Sequence, residues 1–331
     1  MREILKKIYY RFSPLFDWLN NFTPLYQFFA KNFFENTNDA LKFLGAKIEQ
    51  GAEVKKIKKI KSLPINLEVN ENAFVDSIFL KTQSFCLIEK NVYLKELIVQ
   101  NNTIVTKNKI YLGDELKTDF ITFSFDIEWL PNQDFNKENF KILLNIFKNY
   151  QIPATWAICG NIFDFLKKEI NELKKERYFE IAYHSFDHCD YSKIDTKEVI
   201  FQIQKLNEIR KKYNLKLETF VFPYNKLNHL DLLVKEGKLR YFRGYIARAN
   251  PKIINFEGKF LYFNTSDFLS GKSIDYYLKN YKKIISQNHN FFSHLQDWET
   301  KEDLLKLDKF ISLVKLFCKG KVKKFNDFNI F

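Results

Sequence analysis

From about residue 118 onward, short apolar runs that end abruptly in polar residues alternate with segments whose apolar residues recur at helical spacing. FITFSF (120–125) leads into a helical pattern over 137–149, in which Phe140, Leu144 and Phe147 share a face. IPATWAIC, starting at Ile152, predicts the next strand, then a helix over 162–175 and the strand FEIAY (179–183). Asp195 followed by Glu198 forms a capping-box start for a helix with Val199, Ile203 and Leu206 along one side. LETFVF (217–222), a helix over 230–236, RYFRG (240–244), a helix over 274–285, a strand at 291–292 and a helix over 301–317 complete the series. Repeated β–α units predict an α/β fold, a parallel sheet or barrel with its active groups at strand ends.

The upstream pattern differs. AFVDSIF, SFCLIE, KELIVQ and TIVTKNKIYL are short β-prone runs, and Asn101-Asn102 is a candidate hairpin turn, so residues 65–112 predict a small antiparallel layer. The charged stretch 49–61 reads as a linker, and no internal repeat is expected. In residues 1–45, aromatic clusters interrupted by Pro14 and Pro24 predict short helices packed on the main domain, with adsorption to a membrane as the other reading. The expected organisation is an accessory region, 1–118, of helices then short strands, followed by a catalytic-type domain, 119–331.

Composition narrows the class. Of 331 residues, 17% are aromatic and few are Gly or Pro, which suits a packed globular chain. Neither end carries an apolar run long enough to span a membrane or the apolar core and cleavage site of an export signal, so a cytoplasmic location is expected, peripheral to the inner face of the membrane in the alternative. The net charge of +13 is almost all lysine. No nucleic-acid motif accompanies it, so nucleic acid is disfavoured and an anionic membrane surface or glycan is the better partner. Cys86, Cys159, Cys189 and Cys318 form no CxxC pair and read as plain thiols, Cys189 beside His188 included. The oligomeric state is not legible.

Candidate chemistry lies at two strand ends. FEIAYHSFDHCDY (179–191) finishes in His184, Ser185, Asp187 and His188, and two histidines four residues apart can share one divalent ion if a carboxylate joins them. FITFSFDIEW (120–129) ends in Asp126 and Glu128, which otherwise read as exposed turn residues. His229 reads as a helix-start residue. His289 competes with His294, which is preferred because it closes the apolar run FFS. Trp129, Trp156, Tyr224 and Trp298 are candidates to line a sugar pocket, with Trp156 equally suited to the core.

In order along residues 118–300, ITFSFDIEW, IPATWAICGNIFDF, FEIAYHSFDH, ETFVFPYNKLNHLDLL, YFRG and NHNFFSHLQDWE resemble the blocks of the polysaccharide deacetylase family, the NodB-homology carbohydrate esterases. The resemblance implies a distorted (β/α) barrel of about seven strands and a metal-dependent hydrolase that removes an N-acetyl or other acyl group from an amino sugar or glycan, nucleotide- or lipid-linked substrates included. It implies Asp126 as base and Glu128, His184 and His188 as ligands of one divalent ion, an Asp-x-Glu variant in which the two carboxylates could exchange roles. Zinc is the default ion, with cobalt, nickel and iron chemically admissible. It further implies His294 as acid and the Tyr224 N–H as oxyanion donor. The arginine expected near Val221 and Phe222 is missing, and Arg243 is the candidate replacement. The alternative is a catalytically weak or inactive glycan-binding protein on the same fold.

Overall fold

The computed structural model describes residues 36–331 apart from 44–45, 61–66, 81–83, 85, 100, 130–134, 246–251, 266, 319 and 331. The helices expected before residue 36 therefore lie outside the described residues. The chain divides into two compact units, with the division between Asp114 and Glu115.

In the first unit a helix, Thr37–Phe43, precedes strands β1 (Lys47–Ile48), β2 (Glu53–Ile60), β3 (Leu67–Val69), β4 (Phe74–Leu80), β5 (Cys86–Ile88), β6 (Tyr93–Val99), β7 (Asn102–Val105) and β8 (Ile110–Glu115). These strands do not make the expected antiparallel layer. β1, β3, β5 and β7 form one parallel ladder and β2, β4 and β6 another, with only β7–β8 antiparallel. A parallel ladder needs a crossover between neighbours, and here the strand of the other sheet supplies it, so the chain winds as a coil. Glu53 faces Phe74 and Phe74 faces Tyr93, offsets of 21 and 19 residues per turn.

The repeat that sequence inspection missed is a three-position turn. Gly51-Ala52, Asn72-Ala73 and Asn91-Val92 recur at the same place in successive coils, with φ of 73°, 54° and 57° at the first residue and a buried small apolar residue at the second. Only Gly and Asn take that left-handed conformation at little cost. The supposed linker 49–61 is largely strand β2, whose Val54 and Ile57 point into the core while Lys55, Lys56 and Lys58 are exposed. Asn101-Asn102 does not close a hairpin, because β6 and β7 belong to different sheets; the hairpin turn lies at Thr106–Lys109, where the Lys109 carbonyl accepts from Thr106 N–H at 2.8 Å.

The second unit follows the β–α alternation. Parallel strands β9 (Ile121–Ile127), β10 (Ala154–Ile158), β11 (Phe179–Tyr183), β12 (Thr219–Val221) and β13 (Tyr241–Tyr245) pair in sequence order. β13 pairs with β15 (Phe260–Thr265), and the next strand, β16 (Asp267–Phe268), pairs with β17 (His289–His294), which returns to β9. Across the step from β15 to β16, Thr265 Oγ1 donates to the Asn290 carbonyl at 2.8 Å and Asn290 Nδ2 donates to the Asn264 carbonyl at 2.7 Å. The ring of strands is thereby completed, a distorted barrel. β9, β10 and β11 are buried along their whole length, as strands covered on both faces must be.

Among the described residues, the three longest helices begin where side chains cap them. Asn136 accepts from Asn139 N–H ahead of Lys137–Tyr150, Asp195 accepts from Glu198 N–H ahead of Thr196–Tyr213, and Thr300 with Asp303 forms a capping box for Lys301–Phe317. The helix expected over 274–285 is broken at Asn280 into Ile274–Lys279 and Tyr281–Ile285. One hairpin was missed: β14 (Lys252–Phe256) turns through Glu257 and Gly258, with φ of 54° and 66°, into β15. At the amino ends of the strands the chain returns, with Lys323 N–H donating to the Ile121 carbonyl, and Phe325 and Phe328 pack among Phe120, Ala157, Tyr241 and Phe263. That end of the barrel is filled, so the carboxyl ends of the strands are the end left for chemistry.

Candidate active site at the strand ends

The chemically competent side chains arrive at the carboxyl ends of three strands, β9, β11 and β17. Asp126 and Glu128 are two residues apart on the extended end of β9, so the period of a strand puts them on one side. The β9–β17 register sets His294 beside Asp126. His184 and His188 follow β11, where Ser185 and His188 adopt φ of 61° and 59°. Left-handed backbone at non-glycine residues is strained, and both imidazoles reach Glu128 at the end of β9.

Glu128, His184 and His188 converge, with one candidate ligand atom from each within 4.8 Å of the others. His188 Nε2 is 2.5 Å and His184 Nε2 3.4 Å from Glu128 Oε2, and Gln296 Nε2 donates to Glu128 Oε1 at 3.1 Å. His184 Nδ1 is 2.8 Å from the Val221 carbonyl. A carbonyl can only accept, so Nδ1 carries a proton, and in the neutral form of the ring the lone pair of Nε2 faces the Glu128 carboxylate. Both His184 Nε2 and Glu128 Oε2 are buried and neither makes a hydrogen bond of acceptable geometry, although His188 Nε2 lies close to Oε2. Two electron-rich atoms facing each other away from water need a cation between them, and two imidazoles with a carboxylate fit a divalent ion. Burial works to raise the Glu128 carboxyl, but the close approach of the His184 and His188 ring nitrogens lowers it further than burial raises it.

Asp126 stands outside that cluster. It is fully enclosed and grips Arg243, with Nη1 2.8 Å from Oδ1 and Nη2 2.6 Å from Oδ2. The same guanidinium donates to Ser124 Oγ at 2.9 Å and Asn225 Oδ1 at 3.3 Å. Burial pushes the Asp126 carboxyl up, and Arg243, His184 and His294 more than offset it, so the group sits below its ordinary value. Its Oδ2 is 3.9 Å from His184 Nε2 and 3.8 Å from His294 Nε2. His294 Nδ1 pairs with Asp297 Oδ2 at 3.0 Å, and this carboxylate also accepts from His294 N–H at 2.7 Å. Burial lowers the basicity of His294, and Asp297, Asp126 and Glu128 raise it further than burial lowers it.

Tyr224, at φ 55° after Pro223, is 60% exposed, and its ring centre lies 4.7 Å from that of His188. Other candidates fall elsewhere. His289 opens β17 at the opposite end of the strand and pairs with Asp267 at 3.0 Å. His229 precedes the helix Leu230–Lys235 with Nε2 3.0 Å from the Ile194 carbonyl. Asp187 accepts from Gln202 at 3.0 Å and is not in the cluster. Burial, with Asp187 next, pushes the Cys189 thiol up to about 12, so it is a neutral thiol at pH 7. Trp156 and Trp298 are fully buried and leave the list of sugar-facing rings, because neither presents surface to a ligand; Trp129 remains half-exposed. Sequence reasoning missed Ser124, Asn225, Asp297 and Gln296. Asp297 alone had a local signal, three residues beyond His294 in HLQD.

The fold and the strand-end arrangement define an α/β domain with a carboxylate–bis-histidine cluster beside a carboxylate–arginine pair. Residues 113–237 match the family model described as polysaccharide deacetylase. Among solved structures, a family 4 carbohydrate esterase from Bacillus anthracis is 19% identical over 66% of this chain and 84% of its own, with a TM-score of 0.43. A peptidoglycan deacetylase from Bacillus subtilis is 15% identical over 64% and 90%, with a TM-score of 0.40. A CE4 family pseudoenzyme from Bacillus anthracis is 16% identical over 64% of this chain and 65% of that one, with a TM-score of 0.44. A search of curated proteins returns no match. Among the described residues no helix is long and apolar enough to cross a membrane.

Proposed function

We propose that the chain is a metal-dependent hydrolase that removes an acyl group, acetyl in the simplest case, from the nitrogen of an amino-sugar substrate. The observation that carries this reading is the convergence of three buried or half-buried ligand atoms, Glu128 Oε2, His184 Nε2 and His188 Nε2, in the arrangement a divalent ion takes. A divalent cation held by Glu128, His184 and His188 would supply Lewis acidity towards water and the acyl carbonyl, and zinc suits the donor set.

The protein's own groups do the rest. Asp126, kept ionised and fixed in orientation by the Arg243 fork, accepts a proton from the water whose oxygen attacks the acyl carbon. His294, held by Asp297 with its Nε2 towards Asp126, is protonated over a wider pH range than a free imidazole and delivers that proton to the amine nitrogen as the C–N bond breaks. The products are a carboxylate and a free amine. The backbone N–H of Tyr224, presented by the left-handed turn after Pro223, is assigned to the developing oxyanion. The pairing of Arg243 with Asp126 answers the missing-arginine argument for an inactive binding protein.

The test is release of acetate and free amine from a panel of N-acetylated monosaccharides, oligosaccharides, nucleotide sugars and lipid-linked sugars, with metal content measured in parallel. About one divalent ion per chain is expected, with occupancy reduced in His184→Ala and His188→Ala. Unchanged stoichiometry in both variants would sink the site. Full occupancy with no turnover on the whole panel would favour the binding-protein reading.

A further inference from the structure

Only one oxygen of the Glu128 carboxylate faces the two imidazoles. Oε2 approaches both His184 Nε2 and His188 Nε2, whereas Oε1 accepts from Gln296 Nε2 at 3.1 Å. An ionised carboxylate has nothing to donate, so the NH2 end of the Gln296 amide is the end that meets it. The last torsion of a glutamate is broad, with no steep preference of its own for one oxygen over the other. Whatever engages Oε1 therefore decides how the carboxylate is presented to the cluster.

Gln296 is itself fixed from both sides. It is the middle residue of the turn Leu295–Asp297, which follows β17 directly. Leu295 is buried, Asp297 closes the turn by accepting from His294 N–H at 2.7 Å, and the Asp297 carbonyl accepts from Gly271 N–H at 3.0 Å. With the backbone set in this way, the glutamine has only side-chain freedom to lose on meeting Glu128. The donor is also neutral. A lysine or arginine in its place would set a positive charge beside a bound cation and compete with it for the carboxylate, but an amide satisfies Oε1 and leaves the negative charge to the ion.

We infer that Gln296 is a positioning residue for the Glu128 carboxylate: its amide engages Oε1, leaves Oε2 alone to face a divalent ion, and so sets both the affinity of the site and the number of positions left open on the ion. A carboxylate that closed on the ion with both oxygens would take the position that water needs. This inference rests on the metal-dependent reading of the cluster and is independent of which acyl group or sugar is the substrate.

The test uses the full chain, stripped of metal with a chelator and reloaded with zinc or cobalt(II), as wild type and as Gln296→Met, which keeps length and volume and removes the donor. Zinc affinity, measured by competition with a chromophoric chelator, should fall about 10–100-fold in the variant. The visible bands of bound cobalt(II), which weaken as the coordination number rises, should lose intensity as Oε1 joins Oε2 on the ion. Urea midpoints of the two metal-free proteins should agree, because the ion and not the fold requires the contact. Equal zinc affinity and equal cobalt spectra in the two proteins overturn the assignment and leave the metal-dependent reading standing. Weaker zinc binding with an unchanged cobalt spectrum, matched by a lower metal-free midpoint, also overturns it and makes Gln296 a merely structural residue. A wild type that binds neither ion removes the metal-dependent reading and this inference together.

Discussion

Arg243→Met tests the Asp126–Arg243 pair most directly, because it removes the charge while keeping an unbranched stem in the space. The arginine side chain is 0% and that of Asp126 3% exposed, so no water replaces the lost partner. The guanidinium makes bidentate contacts to Asp126 and further ones to Ser124 and Asn225, all of which go at once. Leaving a buried carboxylate unpaired costs about 3–5 kcal/mol, a large fraction of the ~5–15 kcal/mol that holds a domain folded. Arg243→Lys keeps the charge but not the planar fork, and an intermediate loss is expected. Adding Asp126→Asn to Arg243→Met removes the orphaned charge and should recover more than about 2 kcal/mol, a coupling between the two sites. Urea unfolding followed by far-ultraviolet circular dichroism on the wild type, both single variants and the double variant gives the cycle. A loss under about 1 kcal/mol in Arg243→Met, or no recovery in the double variant, would refute the reasoning that burial makes the pair interdependent.

Other outcomes follow from the same geometry. Asp126→Asn should keep the metal, since Asp126 lies outside the Glu128–His184–His188 cluster, while acetate release falls by roughly 10²–10⁴-fold; metal loss would move Asp126 into the ligand set. His294→Ala should likewise retain metal and lose turnover, and undiminished deacetylation in both variants would remove the proposed proton transfers. Glu180, fully buried among Thr155, Thr219 and the Asn326 N–H, has its carboxyl raised from 4.5 to about 7 by burial, against the opposing pull of those donors. The folded state thus binds this proton more tightly than the unfolded chain, so the contribution to stability is fully present below pH 4.5 and is lost as pH rises through 7. Glu180→Gln should therefore show an advantage over the wild type that grows between pH 5 and pH 8, to about 3 kcal/mol, in urea midpoints. A pH-independent difference would contradict the raised carboxyl.

Local chemistry made part of this protein legible from sequence. The helix Lys301–Phe317 was read with its observed bounds because its capping box and its apolar stripe both lie within the segment itself. Strand ends that stop in Asp126, Glu128, His184 and His294 were legible for the same reason: burial on both faces makes a strand uniformly apolar until it leaves the sheet. Asp126 and Glu128 share a side because strand geometry has a period of two residues. The coil of the first unit was misread since short apolar runs look alike whether their neighbours run parallel or antiparallel. What separates the two is whether the left-handed turns at Gly51, Asn72 and Asn91 stack, a relation between residues about twenty positions apart. The partner of Asp126 could be named from sequence only as a candidate, because β9 and β13 meet across the barrel with 117 residues between Asp126 and Arg243. Ring closure and strand register, which are global, turned a histidine pair, two carboxylates and a distant arginine into one buried electrostatic unit. A charge removed from water is stabilised by whatever the fold brings within about 3 Å of it, and distance along the chain carries no information about that.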